Sequence, residues 1–385
     1  MSYFLRELIS HISQVLEWNS ELLHIGGILC RAVYEWELSN IQQSWEQSCG
    51  TVDSPSSSEF RNQLNQRFLH ILQFFTFHHS TPSPKVARLI ADSFYRCSSL
   101  PLTLLSSIGT RRASDIRKFD AAFTFLKSLP MLSEHVTRNG ATAIASLPDG
   151  HKICSVEPSD VQRSLHEHTL DEEELVACLR WWIVTLQQKN PIWTTDNLLH
   201  SATLSCVDGR KLPLSSVQYF IDPKGLGAHI PPNGPLPGSL LPLNICQHFS
   251  RTDLASIHWQ EFTVTHWLQY LSDPSVVLAP EYDFRVSRDW AEQVLTTLFR
   301  LWPSLSHEAR SESREVLKTK PCIPTTHGLC RPDSSYLLAA NDNPFHNLEL
   351  ANVQFSSGSQ TSQEMEILEF IGVRRHVPPE VLRDR

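Results

Sequence analysis

The chain contains no run of about eighteen apolar residues, the length a membrane-spanning helix needs, so no span and no membrane partner are expected. Nor does the stretch from Met1 to Cys30 hold the uninterrupted apolar core of a signal peptide, because Arg6, Glu7, His11, Glu17 and Glu21 break it up. Basic clusters are scarce. Arg111-Arg112 and Arg374-Arg375 are the densest, and with a net charge of −8 the chain offers no basic surface for nucleic-acid phosphate or anionic lipid. The nine cysteines are odd in number and form no CxxC pair, which fits a reducing, cytoplasmic setting better than a disulfide framework. Glycine is also sparse, with 14 in 385 residues, leaving few turns able to present backbone N–H groups to a phosphate.

What is present suits a folded chain. Hydrophobic residues make up 41%, with 10 Trp and 18 Phe among them, enough to fill one large core or several ordinary ones. Phe4, Leu5, Leu8, Ile9, Ile12, Val15, Leu16, Leu22, Leu23 and Ile25 recur at helical spacing, so residues 1–38 form a helical segment in which Gly26-Gly27 can admit a neighbouring helix. Residues 39–59 turn polar and end in Ser54-Pro55-Ser56-Ser57-Ser58, the composition of a linker. Residues 60–221 open with an amphipathic helix from Phe60 to Phe77 and a second from Pro84 to Cys97, then continue into mixed α and β units. Further helices are expected over Asp171–Gln188, Glu261–Leu271, Arg288–Trp302, His307–Leu317 and Glu364–Ile371, the later ones belonging to a C-terminal unit, 243–385.

Between the helices, three short apolar runs each lead to a glycine. Leu100–Leu105 precedes Gly109, Ala202–Cys206 precedes Gly209, and Pro321–Pro324 precedes Gly328. Pro213-x-Ser215-Ser216 and Pro332-x-Ser334-Ser335 follow the second and third, with Ala113-Ser114-Asp115 near that offset after the first. A strand–turn–strand unit repeated about every hundred residues accounts for this spacing. Residues 222–242 are dense in Pro and Gly, which excludes helix and predicts an exposed, irregular connector. The fold expected is α+β, predominantly helical, with short antiparallel β-hairpins between helix pairs.

Candidate chemistry is thin. Asp222-Pro-Lys-Gly-Leu-Gly is the nearest approach to a phosphate loop, but it lacks the GKS/T ending. Cys322, His327 and Cys330 share one segment, and His166 and His168 precede a helix that opens with Asp171, Glu172, Glu173 and Glu174. Neither set has the spacing of a zinc site, and acidic residues at a helix start suit the helix dipole. Trp181-Trp182 and Trp267 sit within apolar helical patterns and are expected to pack in the core. No catalytic, cofactor-binding or metal-binding residue is assigned on these grounds.

The string from Pro321 to Tyr336, PCIPTTHGLCRPDSSY, resembles a segment of a family of large fungal proteins. So do Phe74–Ser83, Leu179–Ile183, Asn233–Pro242 and Leu368–Val377, and the likeness runs from about residue 18 to the end. Members of that family carry an N-terminal ATPase domain of the gyrase, histidine-kinase and heat-shock-chaperone type and are similar to sacsin and the plant NO VEIN proteins. The marks of that domain are an Asn-bearing helix, a DxGxG turn and a glycine-rich lid, and none is found in this sequence. The resemblance therefore implies a region downstream of the ATPase domain and transfers no functional residue. The function expected is a non-catalytic interaction or scaffold region with a protein partner and no cofactor; the alternative is a stand-alone enzyme with a cryptic His/Cys or carboxylate site.

Overall fold

Apolar residues three and four apart hold the first helix of the computed structural model, which describes residues 20–49, 55–75, 84–96, 101–188, 193, 198–206, 209–337, 349–351 and 362–377. That helix, α1 (Ser20–Cys49), buries Tyr34, Leu38, Ile41 and Trp45 against α2 (Pro55–Phe75) and α3 (Pro84–Arg96). Tyr34, Phe75 and Phe94 meet with ring centroids 5.5–5.6 Å apart. Gly27 makes the approach of α1 to α3 possible, since a Cβ there would stand 2.3 Å from Ser93 Cβ. The polar stretch expected to be a linker is helical over Ser39–Cys49 and again from Pro55. Its few apolar residues, with Leu38 just ahead of Ile41 and Trp45, fall on one face and bury it, and tertiary burial overrides average polarity. Residues 1–19, where most of the N-terminal apolar stripe falls, lie outside the described residues.

The chain divides into two compact units, Met1–Leu214 and Ser215–Arg385. In the first, β1 (Thr103–Ser106) and β2 (Gly109–Arg112) form an antiparallel hairpin. Helices α4 (Glu134–Asn139), α5 (Ala141–Ala145) and α6 (Pro158–Glu167) follow. Strand β3 (Thr169–Leu170) leads into α7 (Glu172–Gln187), and a second hairpin, β4 (Thr203–Ser205) with β5 (Lys211–Pro213), pairs with β3 in the order β3-β4-β5. The second unit holds β6 (Tyr219–Phe220), α8 (Leu243–Cys246), α9 (Arg251–Ser256) and β7 (Gln260–Glu261), with β6 and β7 parallel. Helices α10 (Val264–Ser272), α11 (Arg288–Leu301) and α12 (His307–Lys318) precede the hairpin β8 (Ile323–Pro324) and β9 (Leu329–Cys330), and α13 (Ser362–Ile371) comes last. Trp267, Leu268, Phe284, Leu298, Leu317, Ile323 and Leu368 form its core. The fold is thus α+β and mostly helical, and among the described residues no helix is long and apolar enough to cross a membrane.

The three hairpins are one motif used three times. Each turn glycine has the positive φ that side chains disfavour: +93° at Gly109, +80° at Gly209 and +147° at Gly328. A 3-10 turn follows each hairpin, at Ala113–Asp115, Leu214–Ser216 and Pro332–Ser334. Next comes an extended residue bridged in parallel on both sides: Arg117 by Met131 and Cys154, Tyr219 by Leu240 and Gln260, Tyr336 by Leu350 and Arg374. The hydrogen bonds repeat as well. Arg117 N–H donates to Pro130 O (2.9 Å), Tyr219 N–H to Ser239 O (3.3 Å) and Tyr336 N–H to Glu349 O (3.0 Å). In return Arg117 O, Tyr219 O and Tyr336 O accept from Leu132, Leu241 and Ala351. One detail of the expected register shifts: Pro213 ends β5 whereas Pro332 opens a 3-10 turn, so Leu214, not Pro213, matches Pro332.

This frame also relocates the Pro/Gly-rich stretch 222–242, which is not an exposed connector. It joins the central residue Tyr219 to its first flanking segment and folds over the core, with Leu226, Leu240 and Leu241 buried. Its carbonyls find donors from helices α10 and α11: Trp267 Nε1 donates to Pro235 O (3.3 Å), Tyr270 Oη to Leu236 O (3.3 Å) and Thr297 Oγ1 to His229 O (3.0 Å). Proline removes backbone donors but not acceptors, so side-chain donors can satisfy a buried proline-rich segment.

Candidate functional site

One group of titratable side chains surrounds the centre of the second copy. Glu261, at the end of β7, is partly buried, and Arg251 Nε lies 2.5 Å from its Oε2. Burial pushes the Glu261 carboxyl up, Arg251 opposes this, and the negative charge of Asp222 adds to the rise. His266, three residues into α10 from its Thr263 cap, accepts the Thr263 N–H at Nδ1 (3.2 Å). Its ring lies 5.6 Å from Tyr219 and 6.1 Å from Phe262. Two carboxylates, an imidazole and a guanidinium thus gather around β6 and β7. Sequence reasoning singled out Asp222 for another reason and missed Glu261 and His266, because their approach depends on the parallel β6–β7 contact.

The acidic start of α7 is a lock on local structure. Asp171 caps the helix and Glu174 returns the bond, each carboxylate accepting the other's backbone N–H at 2.8 Å. Glu174 is buried, and Lys127 Nζ (3.0 Å) and His168 Nε2 (3.2 Å) both reach it. Hydrogen bonds to Asp171 and Glu174 hold the Lys127 ammonium above its usual range. His166, Asp171 and Glu173 face solvent, so of the flagged residues the structure brings together His168, Asp171 and Glu174. In the phosphate-loop candidate, Gly225 and Gly227 N–H groups both donate to Asp222 O, at 3.2 and 3.0 Å.

Cys322 is buried beneath the third hairpin, where its thiol is pushed up to about 12 by burial. Cys330 is half-buried and His327 exposed at the turn, so the three side chains occupy different environments. Thr325 Oγ1 instead donates to Glu349 Oε2 (2.5 Å). Among the described residues, no group of three or more His, Cys, Asp or Glu side chains is placed to hold a metal ion. Burial likewise raises the thiols of Cys30 and Cys178 to about 12 and that of Cys246 to about 11. Trp182 and Trp267 are core residues, while Trp181 is half-exposed in a ring cluster with Phe123 and Trp193.

Two surface features of the second unit lie apart from these groups. An open groove of about 380 Å³ runs between the ends of α10 and α12, lined by Gln269, Ser272, Asp273, Glu315, Thr319 and Lys320 among others. Val277 (97% exposed) and Val286 (68%) project from the segment between α10 and α11.

The family described as "Protein of unknown function (DUF3684)" matches residues 10–385. No curated protein and no solved structure matches the chain.

Proposed function

We propose that this chain, which belongs to the DUF3684 family, is a non-catalytic interaction or scaffold region of a larger, ATPase-associated, chaperone-like protein acting in the cytoplasm. The observation that carries it is the threefold hairpin-and-centre frame. Repetition of one backbone unit with different side chains at equivalent positions is how repeat proteins build extended surfaces for partners. Within the second unit, Val277 and Val286 expose apolar side chains available for a contact. Burial raises the thiols of Cys178, Cys246 and Cys322, which weighs against these three as nucleophiles, since a nucleophilic cysteine acts as the thiolate. The ATPase association rests on the resemblance of Pro321–Tyr336 and its companion segments. The test is photo-crosslinking in cell extract from a benzoylphenylalanine placed at Val277. A saturable adduct with a discrete protein, competed by unmodified chain, is expected; adducts no stronger than those from exposed Glu312 would overturn the proposal.

A second reading, an enzyme with a carboxylate site, draws on Glu261, whose raised carboxyl next to Asp222 and His266 has the character of a general acid. Turnover of any chromogenic ester, phosphoester or glycoside that Glu261→Gln abolishes without lowering the melting temperature would favour it. Calorimetric titration with ATP is expected to give no binding heat, and micromolar affinity would place nucleotide chemistry within this chain.

A further inference from the structure

Helices α10 and α12 bring their C-terminal ends to one groove of about 380 Å³, a volume in the range of small-molecule sites. Ser272 and Asp273 line it from the end of α10, and Glu315, Thr319 and Lys320 from the end of α12. The groove lies at the far end of α10 from His266, away from the centre of the second copy.

The polar groups of this groove are not paired with one another. Asp273 uses Oδ1 to accept from Ser275 Oγ (2.7 Å) and from the Ser275 N–H (2.8 Å), bonds that hold its carboxyl below the usual range. Its Oδ2 has no partner among the described residues. Glu315 is exposed and Lys320 half-buried, and among the described residues neither makes an ion pair. Ser272 is only 8% exposed, and its Oγ has no hydrogen-bond partner. Buried hydroxyls are ordinarily bonded, so an orphan one in the lining of a groove points to a group that arrives from outside.

Charge defines that group. Two carboxylates against one ammonium leave the groove net negative, and two helix C-termini, each the negative end of its dipole, reinforce this. Asp273 and Glu315 therefore favour a cation, whereas Lys320 and Ser272 offer donors to an anion. A guanidinium suits the cationic half, because its five donors serve several acceptors at once and it keeps its charge. We propose that the groove binds an arginine end, with the guanidinium on Asp273 and Glu315 and the α-carboxylate on Lys320 and Ser272, supplied either by the free amino acid or by the C-terminal residue of a peptide.

Calorimetric titration of the full chain at low salt, first with L-arginine and then with Gly-Gly-Arg, tests this. Saturable binding is expected, and Glu315→Gln, Lys320→Met and Ser272→Ala should each weaken it, the two charge changes by about tenfold. None of these three side chains is bonded among the described residues, so each variant should keep the melting temperature of the parent chain. Agmatine, which keeps the guanidinium but lacks the carboxylate, should bind about tenfold more weakly than L-arginine and be indifferent to Lys320→Met. The two ligands distinguish the sources: Gly-Gly-Arg binding at least as tightly as L-arginine identifies a peptide end, and weaker binding identifies the free amino acid. No saturable binding of either ligand overturns the proposal, as does an affinity unchanged by all three substitutions or agmatine binding as tight as that of L-arginine.

Discussion

The first and second copies of the repeated unit share a backbone frame but put opposite chemistry at its centre. In the first, Arg117 forms a forked pair with Asp160, Nε to Oδ2 at 2.6 Å and Nη2 to Oδ1 at 2.8 Å. In the second, the matching residue is Tyr219, and the residue matching Asp160 is His266; the two rings pack 5.6 Å apart. Asp160 and His266 hold the same station, the third residue of the helix that follows the segment bridged to the centre, and each closes a capping box, with Glu157 or Thr263. The capping geometry therefore dictates where the side chain stands, and the central residue dictates what it must be. A cation selects a carboxylate; a phenol ring selects an aromatic partner.

The largest effect should come from breaking the ion pair. Asp160→Ala leaves Arg117 mostly buried without its carboxylate, a change that costs about 3–5 kcal/mol. His266→Ala removes a ring contact of about 0.5–1.5 kcal/mol. Urea unfolding of the two variants compares them directly, and equal losses would break the distinction between the copies.

Acid should separate them next. Burial alone would raise the Asp160 carboxyl, but the Arg117 hydrogen bond and charge and the Glu157 N–H outweigh it and hold it low. A depressed folded value means that its contribution is complete above the ordinary 3.8 and is lost as pH falls through the lower folded value. Glu261 is raised, so its favourable term is complete below the ordinary 4.5 and is lost as pH rises through the higher folded value. Accordingly, the destabilisation caused by Asp160→Asn should be larger at about pH 6 than at about pH 3. Glu261→Gln should raise the urea midpoint at about pH 6, and a lowered midpoint there would reverse the sign assigned to the second copy.

The hairpin turns offer a finer contrast. Gly209, at φ +80°, is near the left-handed well, whereas Gly328, at +147°, lies outside it. Alanine should cost about 1 kcal/mol at the first and about 1–3 kcal/mol at the second, read from thermal midpoints. The smallest effect concerns reactivity alone. Exposed Cys154, bridged to Arg117 in the first copy, should react promptly with Ellman's reagent, while Cys322, buried and raised to about 12, should react only as the chain unfolds.

Much of this architecture is written locally. The helices expected over Arg288–Trp302 and His307–Leu317 appear as Arg288–Leu301 and His307–Lys318, because periodic apolar residues and Ser287 and Ser306 caps act within a few residues. The turn glycines were legible for the same reason, since a positive φ is a demand made at one position. The centres were not legible. Arg117, Tyr219 and Tyr336 make bridges one or two residues long to segments far along the chain, too short for any period-two pattern. Nothing in the neighbourhood of Glu261 announces that Asp222 and His266 will stand beside it.

Local chemistry, then, decided where helices start, where hairpins turn and that the chain would be mostly helical with short strands. Tertiary structure alone decided that the polar stretch after Leu38 stays helical and that the proline-rich segment lies on the core. It also decided which distant segments bridge Arg117, Tyr219 and Tyr336, the residues that follow the three hairpins. The physical reason is the range of the forces involved: caps, turns and propensities act over a few residues, whereas burial and bridging hydrogen bonds depend on partners that only the folded chain brings into reach.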